Sequence, residues 1–230
     1  MKKFLVSAFI ALLFVSCSKD DDVNNPGTSD VPFVFLKLGN EWRYSGDIIL
    51  DSGLYTSGSY SSRIFISSLN ADSSLSAIIG SSYYFFEGTL PIASFSDGAT
   101  QLWSIKDDYW AIVNEPLHPS SSLKQLPILF NNNTVGKKWE VTYYGETPIA
   151  PLEIRTREIL SVSETVEVPA GIFKNCVKVK ETSSKDPEYY YIYWGTSKDG
   201  IVKYEKRWLS NIYLFETYAT VRAELFSKKF

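Results

Sequence analysis

Residues 202–208 read Val-Lys-Tyr-Glu-Lys-Arg-Trp: Val202, Tyr204 and Trp208 stand on one parity, Lys203, Glu205 and Arg207 on the other. Alternation with a period of two is the mark of a strand with one buried and one solvated face. Outward from this stretch the pattern recurs. Phe173, Val177 and Val179 alternate with Lys174, Lys178 and Lys180. Trp42 with Tyr44, Ile48 with Leu50, Ile64 with Ile66, and Trp139 with Val141 and Tyr143 repeat it, as do Ala219, Val221, Ala223 and Leu225. Leu102 to Ile105 and Tyr109 to Val113 flank a hairpin turn at Lys106-Asp107-Asp108. Leu152 to Val168 reads as two strands, with Leu152, Ile154, Leu160, Val162, Val166 and Val168 on one face. No stretch longer than about ten residues keeps the i, i+3, i+4, i+7 spacing of an amphipathic helix. The helix candidate is short, Ser121 to Leu126, stopped by Pro127.

About twelve strands separated by Gly, Asn, Ser and Pro turns predict an all-β fold. The expected architecture is an antiparallel sheet curled into an open or half barrel, with a β-sandwich as the alternative. The body is read as one domain, with Leu117 to Asn133 as a crossover. A short self-similarity straddles that crossover. Leu38-Gly39-Asn40-Glu41-Trp42 and Val135-Gly136-Lys137-Lys138-Trp139 both place apolar-Gly-x-x-Trp before an alternating strand. Two matches to so short a pattern do not establish a duplication.

The composition fits a folded body. Of 230 residues 44% are hydrophobic and 15% aromatic, with 15 Tyr and 14 Phe, and the formal charge is −3. This excludes a disordered chain, a coiled coil and a disulfide-stapled miniprotein. It also lacks the basic footprint that nucleic acid requires.

The N-terminus reads as an export signal. Met1-Lys2-Lys3 is basic, and Phe4 to Val15 is apolar apart from Ser7. The run falls short of the roughly 20 residues that span a bilayer and suits a secretory signal. Phe14-Val15-Ser16-Cys17 then resembles the lipobox of bacterial lipoproteins, with Phe14 in place of the usual Leu. The resemblance implies that residues 1–16 are removed and that Cys17 is lipidated. Ser18-Lys19-Asp20-Asp21-Asp22 is similar to the acidic signal that sends some lipoproteins to the outer face of the outer membrane; a solvated spacer is the alternative. Residues 17–30 form a polar tether and 31–230 the folded body. One acyl chain binds a membrane only marginally, and the multiply acylated Cys of lipoproteins meets that need. With Cys17 lipidated, Cys176 is the one remaining thiol and no intrachain disulfide can form.

In chain order, Gly39-Asn40-Glu41-Trp42 with Tyr44, Val135-Gly136-x-x-Trp139, Val168-Pro169-Ala170-Gly171-Ile172-Phe173 with Cys176-Val177-Lys178-Val179, and Gly200-Ile201-Val202-Lys203-Tyr204-Glu205 resemble motifs of the TapB-like bacterial envelope proteins. That group is distantly similar to the curved half barrels of LolA-type lipoprotein carriers. The group is mostly of unassigned function, so the resemblance implies a bacterial envelope protein and brings no catalytic residue. In its own right Val168-Pro169-Ala170-Gly171 is a turn between strands. Cys176 shares the parity of Lys174 and Lys178, so either a bulge turns it inward or the other face of the sheet is partly covered.

Chemistry-bearing patterns are scarce. His118 is the single His and reads as a surface loop residue, so triads and His-rich zinc sites are absent or crippled. No Gly-rich phosphate loop is present. The expectation is a noncatalytic protein without cofactor or metal, monomeric and attached to the membrane through its lipid anchor. Tyr189-Tyr190-Tyr191-Ile192-Tyr193-Trp194 carries aromatics on both faces. It reads either as a central strand covered on both sides or as the wall of a ligand cavity. A hydrophobic ligand held by Tyr191, Tyr193, Val202 and Tyr204 is the first functional reading. A surface module contacting glycan or a partner protein through exposed aromatics, Trp103, Tyr109 and Trp110 among the candidates, is the second.

Overall fold

The structure, a computed structural model, describes residues 33–51, 57–71, 73–87, 90–106, 108–114, 124–143, 153–210 and 216–230. Twelve strands run along it: β1 (Glu41–Leu50), β2 (Ser57–Leu69), β3 (Leu75–Glu87), β4 (Leu90–Ile105), β5 (Tyr109–Asn114), β6 (Lys124–Phe130), β7 (Lys138–Tyr143), β8 (Glu153–Val168), β9 (Gly171–Ser183), β10 (Tyr190–Thr196), β11 (Gly200–Ser210) and β12 (Thr217–Lys229). Among the described residues there is no helix. All strands pair antiparallel in one sheet, in the order β6-β5-β4-β3-β2-β1-β12-β11-β10-β9-β8-β7. Each strand pairs with its neighbours in sequence except β6 and β7, and β1 pairs with β12 to join the two ends of the chain. The sheet curls into a nearly closed barrel with one unsealed seam, between β6 and β7. One curled sheet is the barrel expected from the alternation, not the two layers of a sandwich.

Parity does the sorting. Even positions of β1 and β11 and odd positions of β12 turn inward: Trp42, Tyr44, Ile48 and Leu50 are buried, as are Val202, Ala219, Val221, Ala223 and Leu225. One end of the barrel is closed by the segment before β1. Phe33, Phe35 and Leu36 are buried there, with the Phe35 ring edge-on to Trp42 (5.7 Å) and Trp110 (5.2 Å). Asn40 Nδ2 donates to Phe35 O at 2.7 Å and fixes this plug.

Three expectations need correction. Pro127 does not end a helix; residues 124–130 are edge strand β6, where the missing N–H of a proline is tolerated. Leu117 to Asn133 is therefore not a crossover throughout, since β6 occupies its second half. Leu152 to Val168 is not two strands: β8 is a single strand of 16 residues whose register slips after Ile159, Ser161 and Glu164. The slips change which parity faces in. Arg157 and Ile159 point inward before them and Val166 and Val168 after, so Ile154 and Leu160 are each 40% exposed. The bulge invoked for Cys176 is present. Asn175 has φ 56°, a left-handed value that Asn accepts readily, and both Cys176 and Val177 are buried beyond it.

The short self-similarity is a real structural repeat. Gly39 and Gly136 have φ +87° and +83°. Gly39 N donates to Ile66 O (2.9 Å) and Ile66 N to Asn40 O (3.0 Å); Gly136 N donates to Ile159 O (2.8 Å) and Ile159 N to Lys137 O (3.0 Å). β1–β2 and β7–β8 thus begin in the same way.

Candidate ligand cavity

The barrel encloses a cavity of about 750 Å³, floored by Phe35, Trp42, Trp103 and Trp110. Its two sides differ in chemistry. In the first half of the chain the row of cross-strand partners Trp42, Ile64, Ile79 and Ala99 runs across β1 to β4. Ile64 and Ile79 of this row, with Ile112, Leu126 and Ile128, supply an apolar strip of the lining, bordered by Ser62, Ser81, Asp97, Thr100 and Gln101. In the second half the corresponding row, running from β7 to β12, is Trp139, Arg157, Glu181, Tyr191, Lys206 and Val221. Where the first half places isoleucines, the second places charges.

Arg157 and Glu181 are each 1% exposed. Arg157 Nε donates to Glu181 Oε2 at 2.5 Å, Tyr189 Oη to Glu181 Oε1 at 2.6 Å, and Arg155 Nη1 approaches the same Oε1 at 3.3 Å while donating to Tyr189 Oη at 2.7 Å. Burial pushes the Glu181 carboxyl up, but the two guanidiniums and the tyrosine hydroxyl outweigh it and hold it below the usual carboxylate range. The charged wall is thereby neutralised locally.

Tyrosines fill the middle. Tyr204 Oη donates to Tyr60 Oη (2.8 Å), Tyr60 Oη shares a hydrogen bond with Ser81 Oγ (3.1 Å), and Tyr44 Oη donates to Ile201 O (2.8 Å). The rings of Tyr44 and Tyr191 both pack edge-on to Tyr204, at 5.4 and 6.0 Å. Burial drives the Tyr44, Tyr191 and Tyr204 hydroxyls far above their usual range, so all three stay protonated.

The seam is bridged by side chains instead of a backbone ladder. Trp139 Nε1 and Arg157 Nη1 both donate to Pro127 O, the first at 3.0 Å, and Tyr193 Oη donates to Ile128 O at 2.6 Å. Phe130 packs edge-on against Trp139 at 5.0 Å. Carbonyls on edge strand β6 thus find partners on β7, β8 and β10.

The four residues expected to hold a ligand all face inward, and the structure separates them. Tyr191 and Tyr204 line the cavity; Tyr193 and Val202 lie fully buried in the packed core and do not. Trp103 and Trp110 also belong to the interior, with rings 5.0 Å apart, so they form no exposed platform. Cys17, Ser18, Lys19, Asp20, Asp21, Asp22 and His118 lie outside the described residues. Cys176 is buried, and its thiol donates to Phe173 O at 3.4 Å. Burial and then the charges of Asp199 and Glu164 push it up to about 11, which leaves a protonated, unreactive sulfur. Arg155, Arg157, Glu181 and Lys206 were missed by the sequence reading. Their signal was parity: Glu181 continues Val177 and Val179, and Lys206 continues Tyr204, so each is a charge on an inward row.

Fold and site together define a nearly closed antiparallel barrel with a large cavity, an apolar strip facing a row of charged and tyrosine side chains. No family model matches the chain, and no curated protein matches it. Among solved structures, a candidate lipoprotein of Parabacteroides distasonis is similar at 14% identity, over 86% of this chain and 99% of that one, with a TM-score of 0.34.

Proposed function

We propose that the protein is a noncatalytic lipoprotein, anchored in the outer membrane through Cys17 and facing the cell exterior, that holds a hydrophobic ligand inside its barrel. The observation that carries this reading is the cavity of about 750 Å³ with an apolar strip of Ile64, Ile79, Ile112, Leu126 and Ile128 in its lining. Its volume falls within the roughly 300–1,000 Å³ of sites for small molecules. The aromatic excess supports a cavity over a glycan- or protein-binding surface, because Tyr44, Tyr60, Tyr191 and Tyr204 line the interior together with Trp42, Trp103 and Trp110. The TapB-like motifs and their distant likeness to LolA-type carriers belong to the same reading, as does action as a monomer without cofactor. The h-region ending at Cys17, followed by Asp20 to Asp22, supports the anchor and its side of the membrane.

Mass spectrometry of protein purified under native conditions tests the cavity. The expected result is a co-purifying lipid that is lost on Tyr191→Asp while circular dichroism keeps its strand signature. Ligand-free wild-type protein that also takes up no added amphiphile would sink the reading. Cys17→Ala is expected to leave the outer-membrane fraction; unchanged fractionation would remove the anchor. Replacing Asp20 to Asp22 with Ala is expected to lower protease accessibility on whole cells.

A further inference from the structure

Two polar groups on the charged wall are left without a partner. Lys206 makes no ion pair or hydrogen bond among the described residues; its Nζ lies 5.3 Å from the centroid of the Trp208 ring. The Tyr191 hydroxyl likewise makes no hydrogen bond, although its ring packs on Tyr193 and Tyr204. Both residues line the cavity and are direct partners across the β10–β11 pair. Side chains so placed on one face start about 5 Å apart at Cβ, close enough for both tips to meet one small group.

The other charges leave this pair free. Arg155 and Arg157 are engaged by Glu181, and Arg155 by Glu153 as well. Asp97, on the opposite wall, is exposed and forms no ion pair with Lys206. An ammonium inside a cavity is costly without a counter-ion, and a protonated tyrosine beside it supplies no negative charge while its O–H can donate to an anion that does. We propose that Lys206 and Tyr191 form a head-group site for one carboxylate at the end of an apolar chain, with the chain lying along Ile64, Ile79 and Ile112. One carboxylate oxygen accepts from Nζ and the other from the tyrosine hydroxyl. A phosphate dianion calls for further free cations, and the arginines are already committed. This inference rests on the cavity being a hydrophobic-ligand site and adds the chemical class of that ligand.

The test uses the full chain carrying Cys17→Ala, purified without detergent so that no attached acyl group competes, and titrates it with laurate, methyl laurate and dodecyltrimethylammonium. Laurate is expected to bind more tightly than either of the others. Lys206→Met should weaken laurate by about tenfold to a hundredfold and leave methyl laurate unchanged. Lys206→Arg should keep most of the laurate affinity, and Tyr191→Phe, which removes a single hydroxyl, gives an independent reading should Lys206→Met not fold. Equal binding of laurate and its ester overturns the head-group site and leaves the hydrophobic-ligand reading standing. So does laurate affinity unchanged in both Tyr191→Phe and a folded Lys206→Met. Failure of all three probes to bind overturns both.

Discussion

Glu181 holds three hydrogen-bonding partners in a place where an unpaired charge would be intolerable. Removing one member of a buried ion pair typically costs about 3–5 kcal/mol, because the survivor stays desolvated. Arg157→Met should therefore lower the urea stability by about that much, and it also removes a donor to Pro127 O on the seam. A pH dependence follows from the same carboxylate. Its folded-state value lies below the ordinary 4.5, so its contribution is complete above that value and is lost as pH falls through the folded one. Glu181→Gln should start less stable at neutral pH and lose less on acidification. Glu41, held at about 2 by Arg63 and Arg43, gives both proteins the same background. Parallel loss of stability in the two proteins, followed by urea midpoints from about pH 7 to about pH 3, would show that Glu181 contributes no pH dependence. Hydropathy misses this cluster for a physical reason: a charge is assigned to solvent unless its partner is known, and the partner of Arg157 lies on another strand. Tyr191 and Tyr204 were legible because aromatic character agrees with either face of a strand.

At the level of elements, alternation was readable wherever the inward row is apolar, as in β1 and β12. It failed in β8, where Ile154 and Leu160 look like core and are outside. The strand changes parity through its register slips, and no periodic rule survives an inserted residue. Cys176 shows the converse: its conflict with Lys174 and Lys178 left a bulge or a covered second face, and the left-handed Asn175 supplies the bulge. β6 escaped because Pro127 is the usual sign of a helix end, and only its edge position, invisible in sequence, makes it a strand residue. The lead-ins to β1 and β7 permit a clean test. A Cβ at Gly136 would meet nothing within 4 Å, so replacement brings backbone strain alone. Gly136→Ala should cost about 1–2 kcal/mol from its left-handed φ of +83°. Gly39→Ala, at +87° and equally open, should cost the same within error. A urea midpoint unmoved in either variant would mean that the lead-in bends without strain and that the two halves do not depend on it.

Across the whole molecule, the matching lead-ins set β1–β6 against β7–β12. If β7 corresponds to β1, then β12 corresponds to β6, and the β6–β7 seam is the counterpart of the β1–β12 junction. One of these two equivalent meetings is zipped by a ladder from Glu41↔Lys229 to Leu50↔Ala219; the other has only side chains across it. Pro127 offers one cause, since it contributes no N–H to a ladder. The charged row supplies the substitute, because Arg157 reaches both Glu181 in the cavity wall and Pro127 O at the seam. Edge strands with one paired neighbour open at lower free energy than strands paired on both sides. Hydrogen exchange should therefore be fastest in β6 and β7 and slowest along β1 and β12. Tyr193→Phe and Trp139→Phe each delete one donor to a β6 carbonyl and should speed exchange in β6 while leaving β1 and β12 unchanged. If β6 is as well protected as β12 in wild type, or if both variants leave its exchange unaltered, the side-chain bridges do not hold the seam and packing of Phe130 on Trp139 must do so instead.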